Sequence, residues 1–128
     1  MPNERYRYYR LSPREKKLLL KAMQDILERE GVTLAIVFGS FLELESFRDI
    51  DVAIYGRGLG LKDISRISAK LERELKIPVD VVPMDRLPSK FRHQILTKGL
   101  VILDKTPGLY ETILMQAIDE VTIMERSL

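Results

Sequence analysis

The 128-residue sequence predicts one α/β (α+β) domain, in which a small sheet of about four strands is flanked by helices. Four short apolar runs are rich in β-branched residues and are bounded by Gly, Pro, Asp or Ser, which is typical of buried strands. The longer segments between them carry apolar residues at the spacing of amphipathic helices. We expect residues 1–128 to form a single domain, with an N-terminal arm at 1–11 and a C-terminal helix at 107–128.

The first predicted helix begins after Ser12. Ser12 is followed by Pro13 and then by Glu15, which is the pattern of a capping box with proline at the first helical position. The helix is expected to end at Gly31, because glycine is the usual residue just past a helix C-terminus. One apolar stripe is expected to face the core, and it comprises Leu18, Leu19, Ala22, Met23, Ile26 and Leu27.

The first strand is predicted at residues 33–38, and it is expected to be buried on both faces because its residues hardly alternate in polarity. It ends at Gly39 and Ser40, which indicate a tight turn into a short helix at 41–45. Backbone N–H groups at a helix N-terminus lack helical partners and favour negative charge. Because Gly39 allows close approach and Ser40 adds a hydroxyl, this turn is a candidate phosphate-binding site.

Eight residues separate the Gly39-Ser40 turn from the first of two carboxylates. Asp49 and Asp51 are two positions apart at the start of the second predicted strand, so both side chains are expected on the same face. Two such carboxylates repel each other unless a cation lies between them, and oxygen ligands suit a hard ion such as Mg²⁺. A phosphate-binding turn beside a metal site predicts nucleotide chemistry.

The rest of the chain supplies further helices and strands. Helices are predicted at residues 61–75 and 88–98, and strands at 79–82 and 100–103. Asp80 lies inside the first of these two strands, surrounded by apolar residues. A lone Asp at such a position is ordinarily a capped or paired side chain, so the residue alone does not establish a function.

The last helix is expected to begin near Pro107. We expect its apolar stripe to be mostly core, and its far end, near Ile123 and Met124, to be a surface for a partner or a second copy. The stripe comprises Tyr110, Ile113, Leu114, Ala117, Ile118, Val121 and Met124.

The amino-acid composition limits the classes of function that the protein can have. The 21 basic and 19 acidic residues give a net charge of +2, which does not by itself imply polyanion binding. The absence of cysteine excludes disulfides and thiol chemistry. No apolar run approaches the length of a membrane span, so a cytoplasmic location is expected. The segment Arg5–Arg10 interleaves Arg with Tyr, a pattern that can stack on bases and pair with phosphates. Because the segment is only six residues long, we expect it instead to pack on the domain or on a neighbouring subunit.

The Gly39-Ser40 turn followed by Asp49-x-Asp51 resembles the signature of the nucleotidyltransferase fold of the DNA polymerase beta superfamily. The small size resembles its minimal (MNT) branch, which includes the antitoxins of HEPN/MNT toxin–antitoxin pairs. The resemblance covers residues 34–104. It implies a mixed sheet and metal ligation by Asp49, Asp51 and Asp80, with Asp80 as the general base that activates the attacking hydroxyl.

The same resemblance implies a function. One or two Mg²⁺ ions would lie on the triphosphate of ATP, Gly39 and Ser40 would bind the phosphates, and AMP would pass to an acceptor hydroxyl. In this branch the acceptor is a tyrosine of the HEPN toxin. The expected partners are therefore a nucleoside triphosphate and a HEPN-domain protein, with a second copy of the chain as a further candidate. Membranes and nucleic acids are not expected partners.

Phe41 stands where this family often has Arg, and the segment between Ser40 and Asp49 is short for the minimal branch. Both departures favour an alternative hypothesis, in which the domain is a non-catalytic binding module that masks a partner protein. Transfer to RNA or to a small molecule is a third hypothesis. It is less favoured because the chain has no second domain to form a substrate wall.

Overall fold

The computed structural model describes residues 7–127 and confirms the α/β prediction. Residues 1–6 and Leu128 lie outside the described part. Arg5 and Tyr6 of the predicted arm are among them. The elements in chain order are β1 (Tyr9–Arg10), α1 (Pro13–Arg29), β2 (Leu34–Phe38), α2 (Ser40–Glu43), β3 (Ser46–Phe47), β4 (Ile50–Tyr55), α3 (Leu61–Leu75), β5 (Val79–Pro83), a short 3₁₀ turn (Met84–Arg86), α4 (Ser89–Lys98), β6 (Leu100–Asp104) and α5 (Leu109–Arg126).

Four strands form one mixed sheet in the order β5-β4-β2-β6. The central strand β2 is antiparallel to both β4 and β6, whereas β4 and β5 are parallel. As predicted, β2 is buried on both faces, since Leu34 to Val37 are all inaccessible to solvent. The register pairs Phe38 with Asp51 and Asp51 with Asp80, so the end of β2 and both aspartates lie at the same end of the sheet.

Helix α1 begins with the predicted capping box. The Glu15 N–H donates to Ser12 Oγ at 3.1 Å, and the Ser12 N–H donates to the Glu15 carboxylate at 2.8 Å. Met23, Ile26 and Leu27 are buried, but the prediction that Leu18 faces the core is wrong, because its side chain is 64% exposed. At 3.6 residues per turn, Leu18 lies about 140° around the helix from Met23 and therefore faces solvent.

A second, two-stranded sheet was not predicted. Ser46 and Phe47, which belong to none of the predicted elements, pair with Tyr9 and Arg10 as antiparallel strands β3 and β1. Tyr9 stacks on the buried Phe47 with 5.9 Å between ring centroids. The described part of the arm therefore packs on its own domain, which is one of the two arrangements we expected.

The helices cover the two faces of the main sheet with separate cores. Helices α1 and α3 pack on one face through Leu27, Ile67 and Leu71, which meet Val37 and Val52 of the sheet. Helices α4 and α5 pack on the other face, and that core contains Leu34, Ile36, Ala53, Met84, Ile95, Leu96, Ile113 and Ala117.

Helix α5 packs mainly against α4. Ile113 and Ala117 are buried, and Tyr110 and Leu114 pack against the same core, so most of the predicted stripe contributes to the core as expected. Ile118 is exposed, which the stripe did not predict. Ile123 and Met124 are exposed, in agreement with the expected uncovered far end. No helix within residues 7–127 is long and apolar enough to cross a membrane.

Candidate active site

The turn at Gly39 and the side chain of Asp51 are in direct contact. Gly39 has a φ of +82°, which disfavours any residue with a side chain. A Cβ atom at this position would lie only 2.5 Å from Asp51 Oδ2. Glycine is therefore required both by the backbone conformation and by the carboxylate that lies over it. The predicted phosphate-binding turn and one predicted metal ligand form a single site.

The three predicted aspartates lie close enough to affect one another. Asp49 directly precedes β4, Asp51 is its second residue, and Asp80 lies beside Asp51 on the parallel strand β5. Burial raises the pKa of Asp51 to about 6, and the negative charges of Asp49 and Asp80 contribute to the same shift. Asp80 is the register partner of Asp51, and Asp49 comes two residues before Asp51, so all three candidates lie at the same end of the sheet.

The carboxylates fit a magnesium ion that arrives with its substrate. Within residues 7–127, no three His, Cys, Asp or Glu side chains are grouped closely enough to hold a metal ion on their own. Mg²⁺ does not need such a cage, because it keeps several waters and is usually bound by one or two carboxylates plus substrate phosphates. A cation beside Asp51 would also relieve the repulsion that raises its pKa. Asp49 and Asp51 are the residues that would hold it, with Asp80 as a further candidate.

A cleft of about 290 Å³ opens beside Asp51 and Gly39. Its apolar wall includes Phe38, Leu42 and Phe91, and its polar lining includes Gln94 and Lys98 of α4. Phe91 is 39% exposed and contacts Phe38 edge to face, with 5.7 Å between ring centroids. The cleft therefore offers an accessible aromatic ring and polar groups in the same space as the carboxylates.

Sequence analysis missed the α4 wall of this cleft. Phe91, Gln94 and Lys98 follow one another at intervals of three and four residues, which places them on one face of the helix predicted at 88–98. That spacing shows that the residues share a face. The pairing of β6 with β2 decides which part of the sheet this helix face meets. The local sequence pattern gives no information about that pairing.

Phe41, the residue after the Gly-Ser pair, points into the core and away from the cleft. Its side chain is buried and packs edge to face on Phe47 with 4.9 Å between ring centroids. Lys16 Nζ lies over the Phe41 ring and donates to the Phe41 carbonyl oxygen at 2.7 Å and to the Leu44 carbonyl oxygen at 3.3 Å. Phe41 therefore anchors the short helix α2 to α1. The Lys16 ammonium group takes part in the same contact.

The sequence model of the family described as polymerase beta, nucleotidyltransferase, matches residues 21–107, which is more than half of the chain. This chain belongs to that family. The matched segment contains the Gly39 turn and all three aspartates of this nucleotidyltransferase domain. No curated protein sequence matches the chain.

Solved structures share the fold. A complex of a tri-AMPylated Shewanella oneidensis HEPN toxin with an MNT antitoxin matches with a TM-score of 0.73 and 20% identity, over 88% of this chain and 91% of the other. A toxin–antitoxin structure with AMP-PNP matches with a TM-score of 0.74 and 20% identity, over 84% and 90%. A minimal nucleotidyltransferase matches with a TM-score of 0.59 and 28% identity, over 66% and 89%. These likenesses confirm the predicted nucleotidyltransferase fold.

Proposed function

We propose that this domain is a Mg²⁺-dependent nucleotidyltransferase that moves AMP from ATP to an acceptor hydroxyl. The observation that carries the proposal is the position of the Asp51 carboxylate. It lies against the Gly39 turn, is close to Asp49 and Asp80, and borders a cleft. A phosphate-binding turn and a set of carboxylates in one place supply the positioning and the charge neutralisation that phosphoryl chemistry requires.

Each group has a distinct part in the proposed reaction. The backbone N–H groups at the Gly39 turn and the Ser40 hydroxyl bind the β- and γ-phosphates, while Asp49 and Asp51 hold the metal. The metal held there would supply neutralisation of phosphate charge and would make the α-phosphorus more electrophilic. Asp80 accepts the proton of the acceptor hydroxyl, whose oxygen forms a bond to the α-phosphorus. The bond from the α-phosphorus to the bridging oxygen breaks, and pyrophosphate leaves with that oxygen.

The acceptor we propose is a tyrosine hydroxyl of a HEPN-domain toxin, so that the domain acts as an antitoxin by adenylylation. The fold matches that of an MNT antitoxin whose solved complex contains a tri-AMPylated HEPN toxin. Asp80 is exposed, so a side chain of another protein can reach it. The exposed apolar residues of α5, which include Met115, Ile118 and Ile123, offer a surface on which such a protein can pack.

Calorimetric titration of ATP, with Mg²⁺ and with EDTA, tests the nucleotide site. We expect binding that requires Mg²⁺ and that is lost in the Asp49→Asn/Asp51→Asn double variant. Incubation with a HEPN-domain protein from the same organism should then add the mass of AMP to that protein, as measured by intact mass spectrometry. Absence of ATP binding under every condition would contradict the proposal and favour a non-catalytic module that masks its partner by association alone.

A further inference from the structure

The charges that line the cleft are unevenly distributed. Among the described residues that form its wall, Glu43 and Asp51 are acidic, and Lys98 is the one Lys or Arg. Asp49 and Asp80 add further negative charge next to Asp51. A triphosphate that enters this cleft is therefore repelled by every charged side chain around it except Lys98. A metal ion at the aspartates offsets only the part of that repulsion that lies close to it.

Lys98 is held beside the turn by the packing of the residue that follows it. A Cβ atom on Gly99 would lie 2.5 Å from Ile36 Cγ2 and 3.0 Å from the Val37 carbonyl oxygen, so only glycine allows the end of α4 to lie this close to β2. The next residue, Leu100, pairs with Val37, two positions before Gly39. The last turn of α4 and the Gly39 turn therefore lie side by side at the same end of the sheet.

The Lys98 ammonium group is available for a ligand. The side chain is exposed, and within residues 7–127 it takes part in no ion pair. Other lysines are engaged in the structure. Lys16 donates to the carbonyl groups of α2, Lys70 pairs with Glu30, and Lys105 pairs with Glu28. Lys98 thus combines an unused positive charge with a position on the wall of an acidic cleft.

We propose that Lys98, on the α4 wall of the cleft, binds the β/γ-phosphate end of the nucleoside triphosphate. This inference rests on the proposed function and assigns it a phosphate-binding residue on α4. Lysine suits the role because its ammonium is a compact point charge on a flexible stem that can follow phosphate oxygens. Lysine in the last turn of a helix also interacts favourably with the helix dipole, so the test must separate ligand binding from a structural role.

The test is calorimetric titration of ATP and of adenosine, both with Mg²⁺, into the wild type and three variants. Lys98→Ala should weaken ATP binding about tenfold, as expected for one lost charge-assisted contact, and should leave adenosine binding unchanged. Lys98→Arg should restore most of the ATP affinity. Lys90→Ala is the matched control, because Lys90 is an exposed lysine of the same helix that does not line the cleft, and it should bind like the wild type. The ATP affinity of Lys98→Ala should also depend less on salt.

The outcomes separate this inference from the proposed function. If the wild type binds ATP with Mg²⁺ and Lys98→Ala binds it equally well, the Lys98 assignment is wrong while the nucleotide site stands. Equal weakening of ATP and adenosine would show a general disturbance of the cleft and would also overturn the assignment. If the wild type binds no ATP, both proposals fail. The exposed position of Lys98 favours normal folding of the variants, and thermal unfolding of each one checks this.

Discussion

The two faces of the main sheet are built from the same strands but differ in what they carry. On the α1/α3 face, Val37, Val52 and Val81 pack into a continuous apolar core. On the α4/α5 face, Ile36 and Ala53 are also buried, but β4 and β5 carry the carboxylates Asp51 and Asp80 near their first residues, and Asp51 borders an open cleft. Alternation along each strand produces this difference, because neighbouring residues point to opposite faces.

The α1/α3 face supplies stability, whereas the α4/α5 face carries the candidate site. Burial and like charge disfavour the ionised form of Asp51, so this residue weakens the fold at neutral pH in the absence of a bound cation. The apolar core under α1 and α3 provides stability that offsets this cost. Destabilising groups that persist in a fold are typical of functional sites, where activity and stability oppose each other.

The largest expected effect is on activity and comes from Asp51→Asn. Transfer of AMP should fall on the order of 10³-fold or more, because the variant loses a metal ligand. Thermal unfolding without Mg²⁺ and ATP should instead occur at a higher temperature at pH 7, because a repelled, half-buried charge is removed. Asp85→Asn is the control, since Asp85 is exposed and lies in the 3₁₀ turn after β5. Full transfer activity in Asp51→Asn would exclude this residue from the site.

On the α1/α3 face, Ile67→Ala should lower stability and leave AMP transfer unchanged. Ile67 is fully buried in the α1/α3 core, so truncation should lower the free energy of unfolding by about 2–5 kcal/mol. Urea unfolding measures this loss, and transfer activity per folded molecule should equal that of the wild type. Leu61→Ala on the same helix is the control, because Leu61 is exposed and should change stability by no more than about 0.5 kcal/mol. A selective loss of activity in Ile67→Ala would show that the two faces are coupled.

A smaller effect on stability is expected from Gly39→Ala, which acts at the boundary between fold and site. Both Gly39 and Gly58 have positive φ, so alanine at either position should cost about 1–3 kcal/mol of backbone strain. Only at Gly39 does the added Cβ meet Asp51, whereas the space around Gly58 is open. Gly39→Ala should therefore lose ATP binding in calorimetry, while Gly58→Ala should keep it. Loss of ATP binding in both variants would mean that backbone strain alone disrupts the cleft.

The features of the site that could be predicted are those encoded by local geometry. A Gly-Ser pair after a buried strand identifies the turn, which the structure contains, and the Asp51 side chain lies against that turn. The spacing of Asp49 and Asp51 predicts a shared face, but Asp49 lies just before β4. Asp80 needed the family resemblance, because a single carboxylate in a strand has no local pattern. The roles of Asp49, Asp51 and Asp80 in catalysis stay predictions that the variants above test.

The features that were missed depend on how distant segments pack. Lys98 lines the same cleft as Gly39 because β6 pairs with β2 in one particular register. The strands β1 and β3 are two residues long, too short to show any periodicity. Leu18 and Ile118 are apolar residues at helical spacing, but their exposure is decided by which part of each helix another element covers. Apolar spacing predicts that a face exists and does not predict whether a neighbour covers it.

The smallest expected effects are two pH dependences of opposite sign, one from each face. The folded-state pKa of Asp51 is raised from 3.8 to about 6, so between these values the folded protein binds more protons than the unfolded chain, and stability decreases as pH rises. Glu30 bridges α1 and α3, and a hydrogen bond from Lys70, together with the nearby charge of Arg66, holds its pKa below the usual 4.5. The stability that ionised Glu30 contributes is therefore present above pH 4.5 and is lost as pH falls through the lowered pKa of Glu30.

Thermal unfolding of the metal-free and nucleotide-free protein between pH 3 and pH 8 measures both pH dependences. The stability gain of Asp51→Asn over the wild type should be absent near pH 3, grow between about pH 4 and pH 6, and stay constant above that range. Glu30→Gln should be less stable than the wild type at pH 7 and should approach it in acid, because protonation removes the same ion pairs. If both differences instead had the same sign at pH 7, charge would not distinguish the two faces. We would then be wrong that the α1/α3 face stabilises the ionised form of Glu30 while the α4/α5 face destabilises the ionised form of Asp51.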